Sequence, residues 1–311
     1  MYLGIDIGGT NLKVGLVSET GDLVASVQER CGVIDDLEAF VVRLVDLAKA
    51  LAEQNNVPLA DITAAGIGVP GATEGGTILY TCNMPMRNIP MEALFRKYLD
   101  IPVFLANDAD CAALGEYWRG AGQGSDSMVF ITLGTGIGGG LVLGGKLYRG
   151  LGAAGEVGHM VVEKGGAACN CGRTGCWEAY ASATGLTRMA KTAMARNKNS
   201  LLWELAEDGE VNGRITFEAA LQGDATARLV CREYVTELAE GVTNLINLLH
   251  PQVLAIGGGI SNAKEEALLD PLREIVQRKC YASHGAKMTQ SVKATLGNDA
   301  GMIGAAKLCA E

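Results

Sequence analysis

Residues 128–148 read MVFITLGTGIGGGLVLGGKLY. Two apolar runs flank a glycine-rich turn, and a second Gly-Gly turn leads into a third short run. This pattern predicts a β-hairpin followed by another strand. Residues 3–17, LGIDIGGTNLKVGLV, repeat the plan, and residues 22–30, DLVASVQER, continue the meander. The recurrence predicts a distant internal duplication. Further along, residues 36–54 have apolar side chains at helical spacing. ITAAGIGVPG (62–71) reads as a buried strand ending in a turn, and IPVFLAND (101–108) as a strand running into a helix. The longest predicted helix covers about 224–249. VLAIGGGI (253–260) is a buried strand, and Asn262 and Glu265 have capping-box spacing at the start of a helix through about 279. Strands come first in hairpins and then alternate with helices, so the class is α/β with two lobes and a cleft between duplicated halves.

Composition narrows the chemistry. The 311 residues include 26 Lys+Arg against 35 Asp+Glu, a formal charge of −9. Duplex affinity comes mainly from cations on phosphates, so nucleic-acid binding is disfavoured. Glycine, at 42 residues, is about twice as frequent as average, and it clusters in turns. Residues 127–145 are uncharged, but seven glycines among them argue against a membrane span. No secretory signal is expected, because Asp6 interrupts the first apolar run. The protein therefore reads as soluble and cytoplasmic.

Gly134–Gly139 matches G-x-G-x-x-G in form, but the residues after it are β-patterned, where a dinucleotide fold needs a helix. A hairpin turn that offers bare N–H groups to phosphate oxygens is the better reading. Gly8, Gly9 and Thr10 form a similar turn, with Lys13 close behind. Asp6 precedes it, and a carboxylate beside a phosphate turn implies an intervening Mg²⁺. One such turn alone would be an ordinary hairpin; two, together with Gly257-Gly-Gly259, favour a ligand. Asn107-Asp108 lies at the C-terminal end of a strand, where α/β folds bind ligands. Taken alone, Asp108 reads more readily as a helix cap. Cys169, Cys171 and Cys176 follow His159 closely, and three thiolates with one imidazole suit a tetrahedral, structural Zn²⁺. Such a clamp would also hold Glu156 and Glu178 in place.

Taken together, IDIGGTNLKVGL, GIGVPG, NDADCAALGE, LGTGIGGGLV, GEVGH, CNCGRTGCWE, LAIGGGI and LGNDAGMIGAA resemble the ROK family of sugar kinases and repressors. The resemblance spans the chain and implies an actin/hexokinase-type ATPase fold. It suggests a smaller lobe of residues 1–107 plus about 298–311, and a larger lobe of 108–297 with the zinc loop. It implies ATP-dependent phosphorylation of a hexose 6-hydroxyl, glucose first, with mannose, fructose, allose or an N-acetyl amino sugar as alternatives. Asp108 would be the catalytic base. Gly71, Asn83, Asn107, Asp108, Glu156, His159 and Glu178 would hold the sugar. Asp6, Gly8, Gly9, Thr10 and Lys13 would form one phosphate element, Thr135 and Gly136 the other, and Gly257 and Gly258 would border the adenosine. His159, Cys169, Cys171 and Cys176 would bind zinc, and a homodimer is implied. Where glucokinases of the family show an aromatic residue shortly after the counterpart of Asn83, this chain has Met86-Arg87. A sugar-sensing repressor, the family's other class, needs a DNA-binding domain ahead of the first turn. Five residues before Asp6 leave no room for one, and a basic element is lacking.

Overall fold

The computed structural model describes residues 1–81, 84–206 and 209–310. Contacts divide the chain into two compact units. The first is Met1–Phe130, Gly140–Gly155 and the chain from Thr295 onward; the second is Ile131–Gly139 with Glu156–Ala294.

The first unit is built on β1 (Tyr2–Ile7), β2 (Asn11–Val17) and β3 (Leu23–Arg30). Helix α1 (Leu37–Gln54) follows, capped by Asp36, whose carboxylate accepts from the N–H groups of Glu38 and Ala39. Its buried stripe of Phe40, Val41, Leu44, Val45, Ala48, Leu51 and Ala52 keeps the spacing of a core-facing helix. Strand β4 (Ala64–Val69) is buried throughout. Pro70 then separates it from β5 (Gly71–Glu74), which pairs with β6 (Thr77–Thr81) and, through it, β7 (Arg87–Ile89). Helix α2 (Met91–Arg96), strand β8 (Val103–Asn107) and helix α3 (Asp108–Arg119) complete this stretch. The main sheet runs β3-β2-β1-β4-β8: β1, β2 and β3 are antiparallel, and β1, β4 and β8 parallel.

Strands β9 (Ser127–Leu133), β10 (Ile137–Leu143) and β11 (Lys146–Leu147) form the second meander. The boundary between the units passes through β9 and β10. The second unit adds α4 (Glu178–Ala181), α5 (Ala183–Arg196), α6 (Leu202–Leu205), α7 (Gly213–Leu221) and α8 (Ala225–Leu249). Strand β12 (Val253–Gly257), α9 (Leu269–Lys279) and β13 (Gln290–Lys293) follow. Here the order is β11-β10-β9-β12-β13, so a meander followed by two further strands recurs, as the repeated sequence plan predicts. The uncharged segment 127–145 lies in this meander, and among the described residues no helix is long and apolar enough to cross a membrane.

The chain ends with α10 (Ala300–Lys307), packed on α3, β1 and β4 in the first unit. Backbones meet closely there: a Cβ at Gly66 would collide with the Ala305 carbonyl, and one at Gly304 with the Cys111 carbonyl. Because α3 packs on α10, Asp108–Phe130 falls with the N-terminal strands, whereas the sequence reading places a lobe boundary after residue 107.

One predicted element is corrected. The capping box at Asn262 and Glu265 does not form; short 3₁₀ turns occupy 259–262 and 265–267, and α9 begins only at Leu269. Pro271 explains the delay, since it lacks an N–H and its ring would clash with the carbonyl of Ala267 in a continuous helix.

Candidate active site

In the first unit, Asp6 stands at the end of β1, and the turn after it closes through the Gly8 N–H donating to the Asn11 carbonyl at 2.9 Å. Gly9 and Thr10 are exposed at the tip. Lys13 Nζ lies 3.5 Å from the Asp6 carboxylate and donates to the Asn298 carbonyl at 2.7 Å. Burial pushes the Asp6 carboxyl up from its ordinary value, and Lys13 pulls it back only in part. The first turn of α10 leaves room for this carboxylate because residue 301 is glycine: a Cβ there would sit 2.9 Å from Asp6 Oδ2.

At the junction of β8 and α3, Asn107 is the helix cap, with Oδ1 accepting from the Ala109 N–H at 2.8 Å. Its Nδ2 donates to the Gly71 carbonyl at 3.2 Å, tying α3 to β5. Asp108 is thus the first residue of the helix rather than its cap. Its Oδ1 accepts from the Ala109 N–H at 2.9 Å, and the side chain is half-buried. A negative charge is favoured at that end of a helix. Gly71 is buried where a Cβ would strike the Tyr80 carbonyl. Asn83 lies outside the described residues. Met86 is 2% exposed within the core of this unit, and Arg87 opens β7 at the surface.

In the second unit, the β9–β10 turn is held from outside. The Gly134 N–H donates to the Gly136 carbonyl at 3.0 Å, and the Ile137 N–H donates to Glu178 Oε2 at 3.0 Å. A Cβ at Gly136 would collide with that carboxylate. Ala183 N–H and Thr184 Oγ1 donate to the carbonyls of Gly134 and Thr135 at 2.9 and 2.8 Å. Gly257 ends β12, and Gly258, at φ +83°, abuts the Leu133 backbone so closely that a side chain has no space.

The ligand atoms of His159, Cys169, Cys171 and Cys176 lie within 4.8 Å of one another. Cys169 Sγ is 3.7 Å from His159 Nδ1 and 3.7 Å from Glu178 Oε1, and Cys171 Sγ is 3.6 Å from Cys176 Sγ. Desolvation pushes the Cys169 thiol up to about 12 and raises Cys176, while a hydrogen bond from the Arg173 N–H lowers Cys171. Three sulfurs and one imidazole nitrogen at such separations fit tetrahedral zinc. Glu156, exposed, precedes the 3₁₀ turn Val157–His159, and its carbonyl accepts from the His159 N–H at 3.1 Å. The eight described cysteines are all free thiols.

One residue important to this arrangement escapes a reading of the sequence. Glu116 is fully buried on α3. It accepts from the N–H groups of Ala121 (2.9 Å), Thr295 (3.0 Å) and Leu296 (2.7 Å), and from Thr295 Oγ1 at 3.2 Å. It thereby ties α3 to the segment that carries Asn298, the acceptor for Lys13. A carboxylate on the same helical face as Ala109 and Ala113 was the available signal.

The ROK family model matches residues 2–311. The chain belongs to the ROK family. This ROK protein is 38% identical to a glucokinase of Halalkalibacterium halodurans, over 97% of this chain and 93% of that one. It is also 38% identical to a glucokinase of Thermotoga maritima, over 99% and 97%. A crystal structure of a ROK glucokinase from Streptomyces griseus, in complex with glucose and AMPPNP, superimposes with a TM-score of 0.81 at 36% identity, covering 99% of this chain and 98% of that one. The fold of this ROK protein is accordingly the actin/hexokinase type.

Proposed function

We propose that this protein is an ATP-dependent glucokinase that transfers the γ-phosphoryl group to the 6-hydroxyl of glucose. The observation that carries the reading is Asp108, the first residue of α3 and next to its cap Asn107, in a chain that matches a glucose- and AMPPNP-bound glucokinase from end to end. Phosphoryl transfer demands placement and charge neutralisation more than covalent chemistry. Asp108 orients the sugar hydroxyl and takes its proton as the new P–O bond forms. Asn107 spends one amide hydrogen on Gly71, which leaves the other for a sugar hydroxyl. Gly71, Asn83, Glu156, His159 and Glu178 complete the sugar ligands, of which Asn83 lies outside the described residues.

Gly8, Gly9 and Thr10, with Lys13, cradle one part of the ATP phosphates; Thr135 and Gly136 cradle another, and Gly257 and Gly258 border the adenosine. Asp6, whose burial disfavours its charge, would hold Mg²⁺, and that ion supplies charge neutralisation at the phosphates. His159, Cys169, Cys171 and Cys176 would hold zinc, which would clamp the loop that leads into α4 and Glu178. The working protein is a cytoplasmic homodimer.

Initial rates with Mg-ATP over a panel of hexoses, for wild type and Asp108→Asn, test the reading. Glucose should dominate, and the variant should lose at least about 10²-fold in kcat. Near-wild-type turnover by Asp108→Asn would sink the base assignment. A profile dominated by mannose, fructose, allose or an N-acetyl amino sugar would keep the mechanism and reassign the substrate.

A further inference from the structure

Asp110 lies two residues beyond Asp108 on α3 and is 3% exposed. Arg149, beyond β11, lies with Nε 3.9 Å from Asp110 Oδ2. A carboxylate so deeply buried needs a cation or a set of hydrogen bonds to offset its lost hydration. The same guanidinium reaches β5: Nη2 donates to Thr73 Oγ1 at 2.6 Å and approaches the Thr73 carbonyl at 3.3 Å. Thr73 is itself 2% exposed and stands two residues beyond Gly71.

Two ties therefore join the same pair of elements. Asn107 bonds the Gly71 carbonyl, and one turn further along α3 the Asp110–Arg149 pair grips Thr73. Pairing with β6 holds β5 in its own sheet; the two ties set where its first residues lie along the start of α3. The second tie is charged and planar, a geometry that lysine cannot reproduce. Its Thr73 half is a close hydrogen bond, whereas its Asp110 half is an ion pair: Arg149 Nε is buried without a hydrogen-bond acceptor among the described residues. Its separation from Asp110 exceeds a charge-assisted hydrogen bond by about 1 Å.

We propose that Arg149 is a positioning residue for the sugar: by bridging Asp110 on α3 to Thr73 on β5, it fixes Gly71 and Asn107 against Asp108. The proposal rests on the kinase reading above. It assigns Arg149 no contact with substrate. Its effect passes through Thr73 and Gly71 to the sugar side and leaves the Asp6–Lys13 turn alone.

Steady-state kinetics of Arg149→Met, Arg149→Lys, Thr73→Val and Thr73→Ser, with thermal melts on each, test it. Arg149→Met should raise KM for glucose about 10-fold and lower kcat, as expected when a charged hydrogen bond that sets geometry is lost. KM for ATP should stay within about twofold, because the phosphate turn keeps its own supports. Arg149→Lys should resemble Arg149→Met. Thr73→Val should shift KM for glucose in the same direction, and Thr73→Ser, which retains the accepting oxygen, should restore it. A purely structural role predicts lower melting temperatures with an unchanged KM for glucose in the folded fraction, and that outcome overturns the proposal. So does an equal rise in both KM values. Wild-type protein that phosphorylates no hexose overturns the kinase reading and this proposal with it. An active wild type whose folded variants keep the glucose KM overturns the positioning role alone.

Discussion

The two glycine-rich turns, Gly8–Thr10 and Gly134–Gly136, share a sequence plan and are supported in opposite ways. The first carries its charge within its own hairpin: Asp6 and Lys13 flank the turn and face each other at 3.5 Å. The second has no charged residue in its hairpin and borrows one, Glu178, from α4, 41 residues away. Glu178 also touches Cys169 of the His-Cys cluster, so the second turn is braced by the element a metal would clamp. A duplicated backbone has thus been finished by local charge in one copy and by a remote loop in the other. Each turn should therefore fail for its own reason.

The largest effect is expected at the first turn. Asp6→Asn should cost roughly 10²-fold in kcat/KM for ATP, the scale of losing one preorganised charge at a phosphoryl site. The same change should stabilise the fold in a pH-dependent way. Burial raises the Asp6 carboxyl in the folded state above its unfolded value, so the native state binds that proton more tightly. The stability Asp6 contributes is full below its unfolded value and is lost as pH rises through the raised folded one. The melting temperature of Asp6→Asn relative to wild type should therefore climb as pH increases from about 4. A flat difference across that range would mean that Lys13 fully compensates the charge.

At the second turn, metal removal is the corresponding test. Cys176→Ser should lower zinc affinity by more than about 100-fold, since even outer-shell changes cost 10–100-fold. Hydrogen exchange should then speed up at the Ile137 amide while the Gly8 amide stays protected. Equal loosening of both turns would mean that the His-Cys cluster does not brace the second turn selectively. Glu178→Gln should act more mildly, changing zinc affinity by less than about 10-fold, because the amide oxygen can still accept from Ile137.

The same contrast sets what could be read from the chain. Elements whose signals are local were legible: Asp36 and Asp224 cap α1 and α8 within a residue of the expected starts, and the three-strand meanders recur as written. The first turn was legible because Asp6, the glycines and Lys13 lie within eight consecutive residues. The His-Cys cluster was legible because its spacing is short. The start of α9 was misread because one proline outweighed a good capping box. Ties across long separations left no local trace. Glu116 reaches Thr295 over 179 residues and Arg149 reaches Thr73 over 76, and a sequence records neither distance nor direction for such pairs.

The smallest effect is expected at Thr184. Thr184 Oγ1 donates to the Thr135 carbonyl at 2.8 Å from an exposed position, so Thr184→Val removes one tether from the second turn and nothing from the first. An exposed hydrogen bond of this kind contributes about 0.5–1 kcal/mol, and water replaces part of it. Global stability should barely move. The expected signature is local: faster exchange at residues 134–137 and a rise in KM for ATP of about twofold, with KM for glucose unchanged. If the second turn is braced mainly through Glu178, Thr184→Val combined with Glu178→Gln should cost more than the two changes added separately, because each then removes the other's remaining support. Strict additivity would mean that the two braces act on the turn independently, and the picture of one remote loop finishing the second hairpin would have to give way to two unrelated contacts.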